Sequence, residues 1–192
     1  MAIMISAVIL AAGESTRMGK PKQLMRLGEV TLVEQTIDNF LNSKVNEIIV
    51  VLGHRAEEVA SLISNRPVTI AFNPNYRQGM STSIVAGLSL LNDKTQAVMI
   101  ALGDQPFVDA QTINYLVEEF VAHDQGIAIP VYEGRRGHPV IFDIKYKEEL
   151  LKLKGDKGGR EIIRQYSEDV LEVTVNCEGV CVDIDTEDNY SG

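Results

Sequence analysis

Only two cysteines occur in 192 residues, Cys177 and Cys181. A zinc site built on them would need a second pair of ligands, which the sequence does not supply, so both are expected to be ordinary reduced thiols. Basic residues are also scarce: 18 Lys and Arg stand against 27 Asp and Glu, a net charge of −9. That balance excludes non-specific attraction to nucleic acid or to an anionic membrane. Any bound anion must be held locally. The first apolar run, Ile3–Leu10, is too short to span a bilayer and lacks the basic flank and small-residue cleavage site of a signal peptide, so a cytoplasmic chain is expected. Internal repeats, low-complexity tracts and dividing linkers are missing too. What remains is a single domain over residues 1–192, 45% hydrophobic and long enough to bury a sizeable core.

Short runs rich in Ile and Val recur at Ile3–Leu10, Glu47–Leu52, Val68–Phe72, Ala97–Leu102 and Ile127–Val131. Each reads as a strand buried on both faces. Helical periodicity lies between them at Thr31–Leu41, Ala56–Ile63, Ser81–Leu91 and Ala110–Val121. The alternation predicts an α/β fold, a mainly parallel sheet with helices on both faces. In the last third, Arg135–Pro139 reads as a loop, Lys145–Leu153 and Gly159–Tyr166 as helices, and Val170–Val175 with Val182–Ile184 as a late pair of strands. Ligands of open α/β sheets lie at the carboxyl ends of the strands, so the residues that follow each run are the functional candidates.

The stretch ILAAGESTRMGKPKQL, Ile9 to Leu24, follows the first run. It is not a Walker A loop: five residues separate Gly13 from Gly19-Lys20, and Pro21 stands where Ser or Thr is required. Nor is it a dinucleotide fingerprint, because Gly13 has no glycine two or five positions on. A glycine-rich surface turn is the plain alternative. The chemistry points to an anion site instead: Gly13 and Gly19 let main-chain N–H groups approach a phosphate, while Arg17 and Lys22, the latter fixed by Pro21, add charge. Asp104 follows the run Ala97–Leu102, where a carboxylate could share Mg²⁺ with phosphate oxygens. Asp185 is a candidate second ligand, with Asp183 as its alternative. Ser81 and Ser83, near the start of a helix, suit either helix caps or nucleoside contacts. Among the three histidines, His54 and His123 suit loop or helix-end roles, whereas His138 stands in RRGHPVIF behind Arg135 and Arg136, a turn able to hold a phosphate-bearing acceptor or simply to face solvent.

With LAAGESTRMGKPKQL are found GMSTSIVAGL from Gly79, GDQPF from Gly103, RGHPVIF from Arg136, GDKGGR from Gly155 and DIDTEDNY from Asp183. This ordered set resembles the MobA-like nucleotidyltransferases, and GHPV with GDKGGR resembles their molybdenum cofactor cytidylyltransferase branch. The resemblance implies a Rossmann-like fold of the nucleotide-diphospho-sugar transferase type, its N-terminal part binding nucleotide and its C-terminal part contributing acceptor loops. It implies nucleotide contacts at Leu10, Ala11, Ala12, Gly13, Arg17, Gly19, Lys22, Gly79, Met80, Ser81 and Ser83. Catalysis falls to Arg17, Lys22 and Asp104, and Mg²⁺ to Asp104 and Asp185. Acceptor contacts fall to Gln105, Arg136, Gly137, His138, Pro139, Asp156, Gly158 and Arg160. Ala12 makes the loop read LAAG rather than the LAGG usual in guanylyl members, which favours CTP over GTP. The late motif departs from the common pattern by lacking a proline after Thr186, which shortens the turn beyond Asp185.

The expected reaction is Mg²⁺-dependent transfer of CMP from CTP to molybdopterin, with pyrophosphate released. A phosphate acceptor is already ionised near neutral pH, which agrees with the lack of any Ser-His-Asp or Cys-His constellation. A molybdenum hydroxylase or its accessory protein is the expected recipient of the product. Two alternatives stand beside this reading: nucleotidyl transfer to a sugar or polyol phosphate, and a non-catalytic accessory protein that binds the cofactor. Activity with a simple phosphate would select the first, and binding without pyrophosphate release the second.

Overall fold

The first apolar run forms the centre of the molecule. The computed structural model describes residues 3–14 and 21–182. The amino-terminal half runs β1 (Ile5–Ala11), the hairpin β2 (Arg26–Leu27) and β3 (Val30–Thr31), α1 (Leu32–Leu41), β4 (Glu47–Leu52), α2 (Ala56–Leu62), β5 (Thr69–Phe72) and α3 (Met80–Leu88). The rest runs β6 (Ala97–Leu102), α4 (Ala110–Ala122), β7 (Ile127–Tyr132), β8 (Arg135–Arg136), β9 (Val140–Asp143), α5 (Lys147–Leu151), α6 (Arg160–Gln165) and β10 (Val170–Thr174).

Among the described residues, eight strands form one sheet in the order β10-β7-β9-β6-β1-β4-β5, with β8 paired to β7. β1 lies parallel to both β4 and β6, β4 to β5, and β7 to β10. The expected parallel strands are therefore present. β9 and β8 are the exceptions, β9 antiparallel to both β6 and β7 and the two-residue β8 antiparallel to β7. The four residues of β9 follow Gly137 and Pro139, and so short a run beside turn residues carried little strand signal of its own. β8 likewise falls inside the stretch expected to be a loop. Of the expected strand Val182–Ile184, Val182 only caps a 3-10 turn at Glu178–Cys181, and the remainder lies outside the described residues.

Side-chain alternation along β1 sends Ile5, Ala7 and Ile9 to one face and Val8 to the other. On the first face they meet Ile37 and Phe40 of α1 and Leu116 and Phe120 of α4. On the second, Val8 joins Ile84 and Leu88 of α3, Phe142 of β9 and Ile162 of α6. Helices thus cover both faces. A capping box starts α1: the Thr31 hydroxyl accepts the Glu34 N–H, and the Glu34 carboxylate accepts the Thr31 N–H at 2.8 Å. Among the described residues no helix is long and apolar enough to cross a membrane.

Candidate active site

β1 and β6 run side by side in register, Leu10 opposite Leu102, so their carboxyl ends open onto the same edge. Gly103 ties the two following loops together by donating its N–H to Leu10 O at 2.8 Å. No side chain would fit there, because a Cβ on Gly103 would lie 2.9 Å from Ala11 Cβ. The next residue, Asp104, meets Lys22 across the gap, Oδ2 to Nζ 3.2 Å. Lys22 opens a 3-10 turn, Lys22–Leu24, directly after Pro21. Two residues 82 positions apart thus form an ion pair that is only partly exposed.

The pair stands in a cleft of about 580 Å³, lined on one side by Leu10, Ala11, Ala12, Gly13 and Lys22 and on the other by Gly79, Met80 and Ser83. These are most of the residues expected to meet the nucleotide. Ser81 is buried instead, with its N–H donated to Gly155 O at 3.1 Å. Neither serine caps α3. Asn73, itself buried, donates to the hydroxyls of Thr82 and Ser83, each at 2.9 Å, and so splints the first turn. Arg17, Gly19, Asp183 and Asp185 lie outside the described residues.

The residues expected to hold the acceptor divide into two groups. Gln105 Nε2 and His138 N–H both donate to Val180 O, at 3.4 and 2.9 Å, and Gly137 packs so closely that a Cβ would lie 2.1 Å from that oxygen. The His138–Pro139 bond is cis. Arg136 is paired with Glu172 at 2.6 Å. The other group lies against α3. Asp156 Oδ1 accepts the Met80 N–H at 3.3 Å, Gly155 sits against Gly79, and a Cβ on Gly158 would lie 3.1 Å from Met80 Sδ. Asp156 therefore lines the cleft beside Gly79 and Met80, with Arg160 opening α6 behind it.

Several residues that line the cleft or brace its loops escaped sequence reasoning. Arg77 Nε donates to Glu14 at 2.7 Å, and the Tyr76 hydroxyl donates to the same carboxylate at 3.4 Å. The hydrogen bond and charge of Arg77 hold Glu14 below the usual carboxylate range. The acid inside a supposed anion loop was the one signal that it needs a cationic partner. Gln23 and Asn39 were invisible for a simpler reason, that their partners are backbone carbonyls. Asn39 of α1 donates to Pro106 O and Val108 O at 2.8 and 2.9 Å and so holds the segment after Asp104.

No cluster of three or more His, Cys, Asp or Glu side chains among the described residues is placed to hold a metal ion. Among the described residues, Asp104 is the carboxylate paired with Lys22 in the cleft, whose lining also includes Glu14 and Asp156. That fits a hard cation of the Mg²⁺ kind, which takes one or two carboxylates together with substrate phosphates rather than a full protein cage.

The profile of the MobA-like NTP transferase domain matches residues 7–170. The chain belongs to this family. It is accordingly a nucleotidyltransferase. The chain is 31% identical to nicotine blue oxidoreductase of Paenarthrobacter nicotinovorans, over 95% of this chain and 92% of the relative. It is 28% identical to molybdenum cofactor cytidylyltransferase of Escherichia coli K12, over 97% and 93%. Among solved structures, the manganese complex of Rv0371c from Mycobacterium tuberculosis H37Rv is similar with a TM-score of 0.84 and 27% identity, covering 99% of this chain and 97% of that one.

Proposed function

We propose that this family member transfers CMP from CTP to molybdopterin, forming the cytosine dinucleotide and releasing pyrophosphate. The observation that carries the proposal is the Lys22–Asp104 pair at 3.2 Å, set in the cleft between the Ala11–Gly13 loop and the Gly79–Ser83 turn. Support for the acceptor comes from the relative named molybdenum cofactor cytidylyltransferase. The amino-terminal part would hold the nucleotide, and loops from the carboxyl-terminal part would hold the acceptor.

In this reading the triphosphate lies along Gly13, Lys22 and the adjoining Arg17 and Gly19. The nucleoside lies against Ala12, Gly79, Met80 and Ser83. An acceptor phosphate oxygen attacks the α-phosphorus, the bond from that phosphorus to the bridging oxygen breaks, and pyrophosphate leaves with the electron pair. Lys22 stabilises the charge that grows on the transferring group. Asp104, with Asp185, would hold a divalent ion; the similarity to a manganese complex supports that, and Mg²⁺ is the ion proposed. Bound there, the ion would neutralise charge on the phosphates. The acceptor phosphate needs no general base, since its second pKa is about 6. Gln105, Gly137, His138 and Pro139 form the proposed acceptor wall, with Arg136 at its rim. Asp156, Gly158 and Arg160 stand where acceptor and nucleoside would meet.

A second reading comes from the relative named nicotine blue oxidoreductase, which is similar along nearly the whole chain. Redox chemistry in this cleft would proceed without release of pyrophosphate. The test is a single assay of the purified protein with Mg²⁺ and CTP, GTP or ATP, offering molybdopterin, a sugar phosphate or a polyol phosphate in turn. CTP-dependent release of pyrophosphate with molybdopterin is the expected result. Release only with a sugar or polyol phosphate would reassign the acceptor, and nucleotide binding without release would leave the redox reading or an accessory, non-catalytic role.

A further inference from the structure

Gln23 is the middle residue of the turn that carries Lys22, only 6% exposed, and one of the residues lining the cleft. Its Nε2 donates to two carbonyls of the opposite loop, Ala11 O at 3.1 Å and Gly13 O at 2.7 Å. Its Oε1 is buried with no hydrogen-bond partner among the described residues. Turning the amide over would set that oxygen against two carbonyl oxygens, so the two acceptors fix its direction.

The other carbonyls of the stretch are fixed as well: Leu10 O accepts the Gly103 N–H at 2.8 Å, and Ala12 O accepts the His54 N–H at 3.0 Å. Every carbonyl from Leu10 to Gly13 is therefore tied to a donor outside the loop. In a trans peptide the N–H points opposite to the C=O. The two bonds from Gln23 thus decide which way the N–H groups of Ala12 and Glu14 face, and directed N–H groups are what a phosphate nest requires. Packing alone does not call for a glutamine here. A methionine would fill the space without a buried, unpartnered acceptor, so what the amide supplies is its pair of donors.

We propose that Gln23 is the positioning residue of the anion loop: by orienting the peptides at Ala12 and Glu14 it sets the affinity for the phosphates of the nucleotide and for pyrophosphate. The inference rests on the reading of the cleft as the nucleotide site. It weighs more on phosphate than on nucleoside binding, because in the nucleoside wall Gln23 holds the peptide at Ala12 alone and gives no bond to Gly79–Ser83.

The experiment is titration of the full chain, in Mg²⁺ buffer, with CTP, pyrophosphate and cytidine, for the unmodified protein, Gln23→Met and Gln23→Asn, with thermal unfolding recorded for each. Gln23→Met is expected to lose about tenfold in affinity for CTP and pyrophosphate, the worth of a lost hydrogen bond or more, while the loss for cytidine is clearly smaller. Gln23→Asn keeps the amide one methylene short and is expected to lose less, which gives a folded comparison if the methionine variant is unstable. Unchanged pyrophosphate affinity in a folded variant, or an equal loss for cytidine, would overturn the inference. Failure of the unmodified chain to bind CTP or pyrophosphate would instead remove the nucleotide reading itself, and the inference with it.

Discussion

Lys22 and Asp104 stand 3.2 Å apart across the loops that follow two adjoining strands; Asp104 was legible because it follows an apolar run, and Lys22 because it adds charge, behind Pro21, to a glycine-containing loop. The pairing itself was not legible, since nothing in one sequence states that the strand at 97–102 lies next to the strand at 5–11. Lys22→Ala should depress turnover by about 10²–10³-fold, the usual loss for one preorganised group that meets growing charge, with steady-state kinetics as the check. Ala12 is buried in the cleft wall, its carbonyl engaged by His54, so its methyl group is held in one place. Ala12→Gly should shift the ratio of CTP to GTP turnover by about tenfold towards GTP. An unchanged ratio would mean that the methyl does not face the base. Glu14 was the residue least accessible to reasoning from sequence: its meaning depends on Arg77, 63 positions away, on the turn before α3.

The contact between the 155–159 loop and the start of α3 was hidden in two motifs that each looked self-contained. Gly79 has φ +111, and a Cβ there would stand 2.3 Å from the Gly155 carbonyl carbon. With Gly79 also bare of any side-chain cap, the first turn of α3 takes its acceptors from the other loop, Asp156 for Met80 and Gly155 for Ser81. Gly79→Ala should therefore both strain the backbone and lift the loop, destabilising the fold by more than about 1 kcal/mol. Chemical denaturation measures this, and a variant as stable as the parent would show that the loop does not clamp the helix. The same contact explains why Asp156 lines the cleft beside Gly79 and Met80 although its motif suggested the acceptor alone. The antiparallel β9 was missed for an element-scale reason too: four residues between Pro139 and a polar turn are too few to establish a period.

Across the whole molecule, strand and helix periodicity sufficed for the α/β architecture, while the late region depended on polar contacts that periodicity does not encode. One of these ties the far end of the sheet. Asp169 accepts from Lys145 Nζ at 2.7 Å, from Gly126 N–H at 2.9 Å and from the buried Tyr146 hydroxyl. Burial works against its charged form, but the bonds from Lys145, Tyr146 and Gly126 outweigh that and lower its pKa. A carboxylate lowered on folding adds stability that is complete above its unfolded pKa, about 3.9, and is lost as pH falls through the lower folded value. Tyr146→Phe removes one donor, so it should destabilise the protein by about 1–3 kcal/mol near neutral pH. Its acid-unfolding midpoint should also move to higher pH, as circular dichroism would follow. The proposed chemistry lies at the other end of the sheet, where the strand ends open. Its most direct test is release of pyrophosphate from CTP with molybdopterin and Mg²⁺, comparing the unmodified chain with Asp104→Ala. Acceptor-dependent release that disappears in a folded Asp104→Ala is the result expected. Equal release by both proteins would place the chemistry somewhere other than the Lys22–Asp104 cleft.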